Sequence, residues 1–76
     1  MEKKLSEFQI GDVGIIKLVG GVGKTRKRLF DMGVTPGASV ELIKRAPLGD
    51  PIEVHIRGYM LTLRKDEAEL ILMEVK

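Results

Sequence analysis

The chain has 76 residues, which predicts a single domain over residues 1–76 whose small core leaves little volume for an enclosed substrate cavity. Hydrophobic residues make up 43% and charged residues 32%, which is typical of a globular domain, and the absence of cysteine excludes a disulfide framework and thiolate metal ligands. The net charge is only +2, from 13 basic and 11 acidic side chains, so the composition permits nucleic-acid binding without implying it.

The N-terminal segment carries charges with no apolar run behind them, which argues against a signal peptide. No apolar stretch approaches the roughly 20 residues needed to cross a bilayer. We therefore expect a cytoplasmic protein that reaches a membrane only through a partner.

The first part of the chain predicts a short turn over residues 5–8, followed by a strand. Val13–Val19 is rich in β-branched and aliphatic side chains, which favours the extended conformation. A glycine-rich stretch, Gly20, Gly21 and Gly23, then ends the strand.

A short helix is predicted over Lys24–Met32. At about 100° per residue, the charged side chains face away from one stripe, which consists of Val22, Thr25, Leu29 and Met32. Gly33 fits a left-handed cap after the helix, and Pro36 prevents the helix from continuing.

The second part of the chain predicts strands separated by turns. A polar turn is expected at residues 65–69, and strands are expected at Ser39–Arg45, Ile52–Arg57, Tyr59–Arg64 and Leu70–Val75. Alternation predicts that three side chains of one strand face the core: Tyr59, Leu61 and Leu63. About five strands with one short α-helix inserted after the first would leave an apolar face uncovered in a flat sheet. The predicted fold class is therefore all-β, a small SH3-like barrel.

One motif suggests nucleotide binding, but its context does not support that function. Gly20–Thr25 is similar to the end of a phosphate-binding P-loop, between a strand and a helix. The full pattern needs a glycine where this chain has Leu18, and a P-loop nucleotidase needs parallel βαβ units that the rest of the chain does not predict. We therefore predict that the protein is not an enzyme, with weak anion binding at the helix start as a lesser alternative.

His55 is the single histidine, and the alternation of its strand points it outward. No cysteine is available to join it, and the carboxylates near it in sequence are scattered. The sequence therefore predicts no metal site and no cofactor.

The strongest charge feature is a basic run on the predicted helix, Lys24, Arg26, Lys27 and Arg28. Phe30 lies off the apolar stripe, beside Arg26, and is expected to be exposed. A basic rim with one exposed aromatic side chain suits a modest, transient protein interface, so these five residues are the predicted partner-binding site. The alternative is a solvated helix face, which needs no function.

The order of short motifs along the chain resembles the FeoA family of small ferrous iron transport proteins. The shared pattern covers about residues 5–75 and consists of an early turn at Gly11, then Gly14-Ile15-Ile16, Arg28-Leu29, Met32-Gly33, Pro36-Gly37, Pro47, Asp50-Pro51, Gly58, Leu63-Arg64, Ala68 and Ile71. With Gly20, Gly21 and Gly23, this chain is more glycine-rich before the helix than the family pattern.

This resemblance implies an SH3-like barrel and a role in bacterial ferrous iron uptake, through association with the cytoplasmic part of FeoB, a membrane permease that carries a G-protein domain. Two alternatives stay open: an SH3-like interaction module of the iron-dependent-repressor type, and a nucleic-acid-binding barrel. The low net charge and the scarcity of aromatic side chains disfavour the second, so no nucleic acid is expected as a partner. A leftover strand edge would also permit weak self-association.

Overall fold

The computed structural model describes residues 1–76 and contains six strands and two α-helices. The strands are β1 (Glu2–Lys4), β2 (Val13–Val19), β3 (Ser39–Arg45), β4 (Ile52–Ile56), β5 (Tyr59–Leu63) and β6 (Ile71–Val75). The helices are α1 (Gly23–Asp31) and α2 (Lys65–Ala68), and a 3-10 turn spans Leu5–Glu7. Neither α-helix combines the length and the apolarity that crossing a bilayer requires.

The strands form one antiparallel sheet in the order β1–β6–β2–β3–β4–β5. The register shifts between Ile16 and Leu18 where β2 pairs with β6, and between Leu42 and Lys44 where β3 pairs with β4. Such bulges bend a sheet and increase its twist. The small SH3-like β architecture is therefore present as a bent sheet, and its two edge strands, β1 and β5, do not pair with each other.

β1 is a sixth strand, which the expectation of about five strands missed. Its three residues are all charged, so no apolar alternation marks it in the sequence. It forms because β6 offers a pairing edge, with Glu2 opposite Glu74. Its side chains find charge partners nearby, because Lys17 pairs with Glu2, and Lys3 Nζ lies 3.0 Å from Asp12 Oδ2.

A single hydrophobic cluster of 16 buried residues lies inside the bent sheet. Alternate side chains of the strands supply most of it, as the period-two pattern predicts. The rest comes from the turns and helices that cover the sheet: Leu5, Phe8, Leu29, Val34, Ala38 and Ala68. Because Leu29 is the one α1 side chain that is fully buried, this residue fixes the helix to the core.

Two sets of side chains are less buried than the sequence pattern predicts. Tyr59 lies on the core face, as predicted, because its partner on β4 is the buried Ile56. It is nevertheless 41% exposed, because it is at the end of the sheet beside the β4–β5 turn, where its hydroxyl donates to the Met32 carbonyl. On α1 the stripe is buried only toward the C-terminal end, since Val22 is 85% exposed and Thr25 is also exposed. The N-terminal turn of α1 therefore projects beyond the sheet.

The end of α1 follows the prediction made for Gly33. This glycine has φ +89°, and the Val34 N–H donates to the Leu29 carbonyl at 2.9 Å, which completes a Schellman motif. Arg57 holds the same segment, because its Nε donates to the Gly33 carbonyl at 3.0 Å. The β4–β5 turn thus anchors the helix end.

The hydrogen bonds of Asp12 should make the stability of the protein fall as the pH becomes acidic. Its Oδ2 accepts hydrogen bonds from the Gln9 N–H at 2.9 Å and from Lys3 Nζ at 3.0 Å, and these contacts hold the pKa of Asp12 below its ordinary value of 3.8. A carboxyl whose pKa is lowered by folding contributes stability above its unfolded pKa, and that contribution is lost as the pH falls through the folded value.

We expect the wild-type protein to lose more stability between about pH 5 and pH 2 than the Asp12→Asn variant, which accepts similar hydrogen bonds without titrating. Urea unfolding midpoints measured across this range test the expectation. Parallel pH profiles for the two proteins would show that Asp12 does not contribute.

Candidate functional site

The predicted partner-binding residues all lie on α1 but not on one face of it. A helix turns about 100° per residue, which directs Lys24 and Lys27 away from the core and directs Arg26 and Phe30 along one flank. Arg28 lies on the opposite flank, toward α2. The run that looks continuous in the sequence is thus divided among three directions around the helix.

Arg26 and Phe30 form a compact pair on the first flank. The Arg26 guanidinium carbon lies 4.5 Å from the centroid of the Phe30 ring, and Arg26 Nε donates to the Val19 carbonyl at 3.3 Å. A cation over an aromatic face is worth about 0.5–1 kcal/mol at an exposed site. Phe30 is half-buried and packs against the core, so the expectation of an exposed ring is wrong. Arg26 covers its outer face.

Arg28 is held by a buried carboxylate that the sequence analysis missed. Glu67 is the only charged residue in the buried set, at 6% exposure, and its Oε1 accepts the Arg64 N–H at 2.9 Å at the start of α2. Its Oε2 makes no hydrogen bond of good geometry, but Arg28 Nη2 lies against it as an ion pair. The signal that could have found Glu67 is its place three residues after the residue that caps α2.

The remaining lysines differ in how much charge they present. Lys27 Nζ lies 3.0 Å from Asp31 Oδ2, one turn along the helix, so its charge is partly neutralised. Lys24 is exposed and has no such partner. The charge available to an incoming group on α1 is therefore concentrated on Lys24 and Arg26.

A shallow groove of about 310 Å³ separates the start of α1 from α2. It is lined by Gly21, Val22, Thr25, Asp66, Glu67 and Leu70. Two carboxylates on one wall make it a poor site for phosphate, although the N–H groups at the start of α1 have no side-chain cap. The strands on either side of β2 run antiparallel to it. A P-loop requires parallel βαβ units, so Gly20–Thr25 does not have the structural context of a P-loop.

His55 lies exposed on the outer face of β4, opposite Glu41 on β3. No group of three or more His, Cys, Asp or Glu side chains is arranged to hold a metal ion.

Comparison with known proteins identifies the family. A family model described as the FeoA domain matches residues 3–75. A fusion protein of Porphyromonas gingivalis, described as Fe(2+) transport protein A joined to the Fe(2+) transporter FeoB, is 38% identical over 72 residues. This match covers 95% of the present chain but only 8% of the fusion protein.

Two solved structures show the likeness of the fold. The FeoA-like protein from Clostridium acetobutylicum superposes with a TM-score of 0.90 and 38% identity, over 97% of this chain and 86% of that one. Stenotrophomonas maltophilia FeoA, described as a procaryotic SH3 domain protein complexed with zinc, gives a TM-score of 0.82 and 22% identity, over 95% of this chain and 89% of that one. The prediction of an SH3-like fold is thereby confirmed. Because the family model spans nearly the whole sequence, this chain belongs to the FeoA family.

Proposed function

We propose that this chain serves bacterial ferrous iron uptake as a cytoplasmic accessory domain that binds the cytoplasmic part of the permease FeoB. The observation that carries the proposal is the fused relative, in which a similar segment is continuous with an Fe(2+) transporter. Fusion keeps two modules at a high effective concentration.

The contact surface that we propose is the flank of α1 formed by Arg26 and Phe30. Here the Arg26 cation has no carboxylate partner, and the aromatic ring adds apolar area beside it, whereas Lys24 points in another direction around the helix. Arginine and aromatic side chains are enriched among the few residues that dominate binding energy. Lys27 and Arg28 contribute less, because Asp31 and Glu67 already hold them.

This surface favours a protein partner over nucleic acid. Two of the four cations on α1 are engaged by carboxylates, which leaves too few free charges for a phosphate backbone. The flank around Phe30 offers one ring rather than the row of aromatic side chains on which bases stack.

The double variant Arg26→Glu with Phe30→Ala should weaken binding to the isolated cytoplasmic part of FeoB from the same organism by about tenfold or more, as loss of a dominant contact does. Titration calorimetry measures the effect. Because Phe30 is half-buried, thermal unfolding of the variant must first show that it is folded, and the single variant Arg26→Glu provides a second measurement at an exposed position.

Lys44→Glu is the matched control, since it reverses an exposed cation on β3 and leaves α1 intact. It should bind as the wild type does. If a folded double variant also binds as the wild type does, the flank of α1 is not the contact surface. If the wild-type chain shows no binding, FeoB is not the partner.

A further inference from the structure

The turn between β4 and β5 places an arginine in a backbone conformation that this residue rarely adopts. Arg57 and Gly58 form a two-residue turn with φ +50° and φ +86°, and two positive φ values are the signature of a type I′ turn. Arg57 is the only non-glycine residue of the chain with a positive φ. Asparagine or aspartate usually occupies the first position of such a turn, so the turn itself does not explain the arginine.

The Arg57 side chain leaves the turn and contacts the segment that follows α1. Its Nε donates to the Gly33 carbonyl at 3.0 Å, and its Nη2 donates to the Thr35 hydroxyl. Both donors belong to one planar guanidinium group, a fork that neither asparagine nor lysine possesses. Arginine at this position therefore links the hairpin to the end of the helix.

Tyr59 adds a second contact to the same segment. Its hydroxyl donates to the carbonyl of Met32, the first residue after α1. A Cβ atom at Gly33 would lie 2.7 Å from the Tyr59 hydroxyl oxygen and 3.3 Å from Arg57 Cδ, so these two side chains leave no room for a side chain at this position. We call the hydrogen bonds from Arg57 and Tyr59 to residues 32–35 the helix-end contacts.

The helix-end contacts lie next to the proposed contact surface. Phe30 is in the last turn of α1, and its carbonyl accepts the Gly33 N–H at 3.0 Å. Leu29 is the one fully buried side chain of this helix, and the N-terminal turn projects beyond the sheet without a side-chain cap. The direction of the last turn, and with it the place of the Phe30 ring beneath Arg26, therefore depends on what holds residues 32–35.

The contribution of Arg57 to overall stability is expected to be small. Arg57 is exposed, so its donors bond to water when the protein unfolds, and the net gain from each hydrogen bond is modest. The left-handed φ of a non-glycine residue is unfavourable and offsets part of that gain. Residues that keep an unfavourable conformation are often found at functional sites.

We propose that Arg57 is a positioning residue for the flank of α1. Together with Tyr59, it holds the end of the helix so that Phe30 stays beside Arg26 in the arrangement that binds the partner. The binding part of this proposal rests on the function proposed above, whereas the position of the helix end is measured in the free chain. Arg57 itself is not part of the contact surface.

Hydrogen exchange of the free chain tests the position of the helix end. In Arg57→Asn, which suits the turn but lacks the fork, the Gly33 and Val34 amides should exchange about tenfold faster, because the last turn opens more often. The Leu42 amide, which donates to the Asp12 carbonyl at 3.0 Å, should change by less than about threefold. Equal acceleration at all three amides would mean that Arg57 only adds global stability, and unchanged exchange at Gly33 and Val34 would mean that it does not hold the helix end. Either result overturns the proposal.

Two further variants separate the helix-end contacts from the charge of the arginine. Arg64→Asn makes the same chemical change at an exposed arginine with φ −78° and no helix-end contact, so the two amides after α1 should exchange as in the wild type. The double variant Thr35→Val with Tyr59→Phe keeps Arg57 but removes two of the helix-end contacts, and it should also accelerate exchange at these amides. Acceleration in Arg64→Asn, or none in the double variant, would contradict the proposal.

Titration calorimetry with the isolated cytoplasmic part of FeoB tests the consequence for binding. Arg57→Asn and the double variant Thr35→Val with Tyr59→Phe should each bind at least about threefold more weakly, because only part of each population keeps Phe30 in place. Weaker binding of Arg57→Asn alone would make Arg57 a direct contact and refute the positioning role, as would wild-type affinity in both variants. If the wild-type chain does not bind, the function proposed above fails, and the exchange measurements still decide whether Arg57 holds the helix end.

Discussion

Replacing Leu29 with alanine should lower the free energy of unfolding by about 2–5 kcal/mol, the largest effect expected of a single substitution on α1. Leu29 has 0% exposure and is the one fully buried side chain of this helix, so its loss leaves a cavity and removes the anchor of α1. Small domains have only about 5–15 kcal/mol of total stability, so this change consumes much of it. Chemical denaturation monitored by circular dichroism measures the loss.

Leu48→Ala is the matched control, because it makes the same chemical change at a side chain that is 96% exposed in the loop between β3 and β4. It should change stability by less than about 0.5 kcal/mol. Equal effects from the two substitutions would mean that α1 is not fixed to the core through Leu29. The Leu29→Ala variant should also lose binding at the flank of α1, since that surface depends on the position of the helix.

Gly14→Ala should destabilise the protein by about 1–3 kcal/mol, as overpacking of a rigid interior does. A Cβ atom at Gly14 would lie 2.7 Å from the Glu74 carbonyl oxygen and 3.1 Å from Phe8 Cζ. The carbonyl belongs to the backbone of β6, which cannot move without breaking its pairing with β2. In a permissive site alanine would instead stabilise by about 0.4–1 kcal/mol, by restricting the unfolded chain.

Gly20→Ala tests whether the contact between the new Cβ atom and the Glu74 carbonyl oxygen causes the destabilisation expected of Gly14→Ala. Gly20 also has no positive φ, and a Cβ there would meet the Leu70 carbonyl oxygen at the looser distance of 3.2 Å. Thermal melts should rank the variants with Gly14→Ala clearly the less stable. The opposite order, or a stabilised Gly14→Ala, would contradict the packing of β2 against β6.

The regular elements could be predicted from the sequence because alternation and turn residues mark them. Val13–Val19 and Ser39–Arg45 are strands with the predicted bounds, and the strand predicted at Ile52–Arg57 ends one residue earlier, at Ile56. The left-handed conformation at Gly33 also follows the prediction. In each case the determining information lies within a few neighbouring residues.

The features that sequence reasoning missed depend on residues distant in the chain. β1 exists because β6 pairs with it, and Glu67 is buried because Arg28 and the start of α2 surround its carboxylate. Phe30 is half-buried because it packs against the hydrophobic core, which distant strands supply, whereas a helical wheel shows only that Arg26 is its neighbour. Tyr59 lies on the core face as the alternation predicts, but it is only partly buried, because it is at the end of the sheet and its hydroxyl contacts the end of α1.

The pairing of β1 with β6 has a consequence for joining this domain to other polypeptides. Glu2 lies opposite Glu74, and the Val75 N–H donates to the Met1 carbonyl at 2.8 Å. Polypeptide attached ahead of Glu2 and polypeptide attached behind Glu74 would therefore leave from one corner. A linker at either end of this domain would therefore start from the same place on its surface.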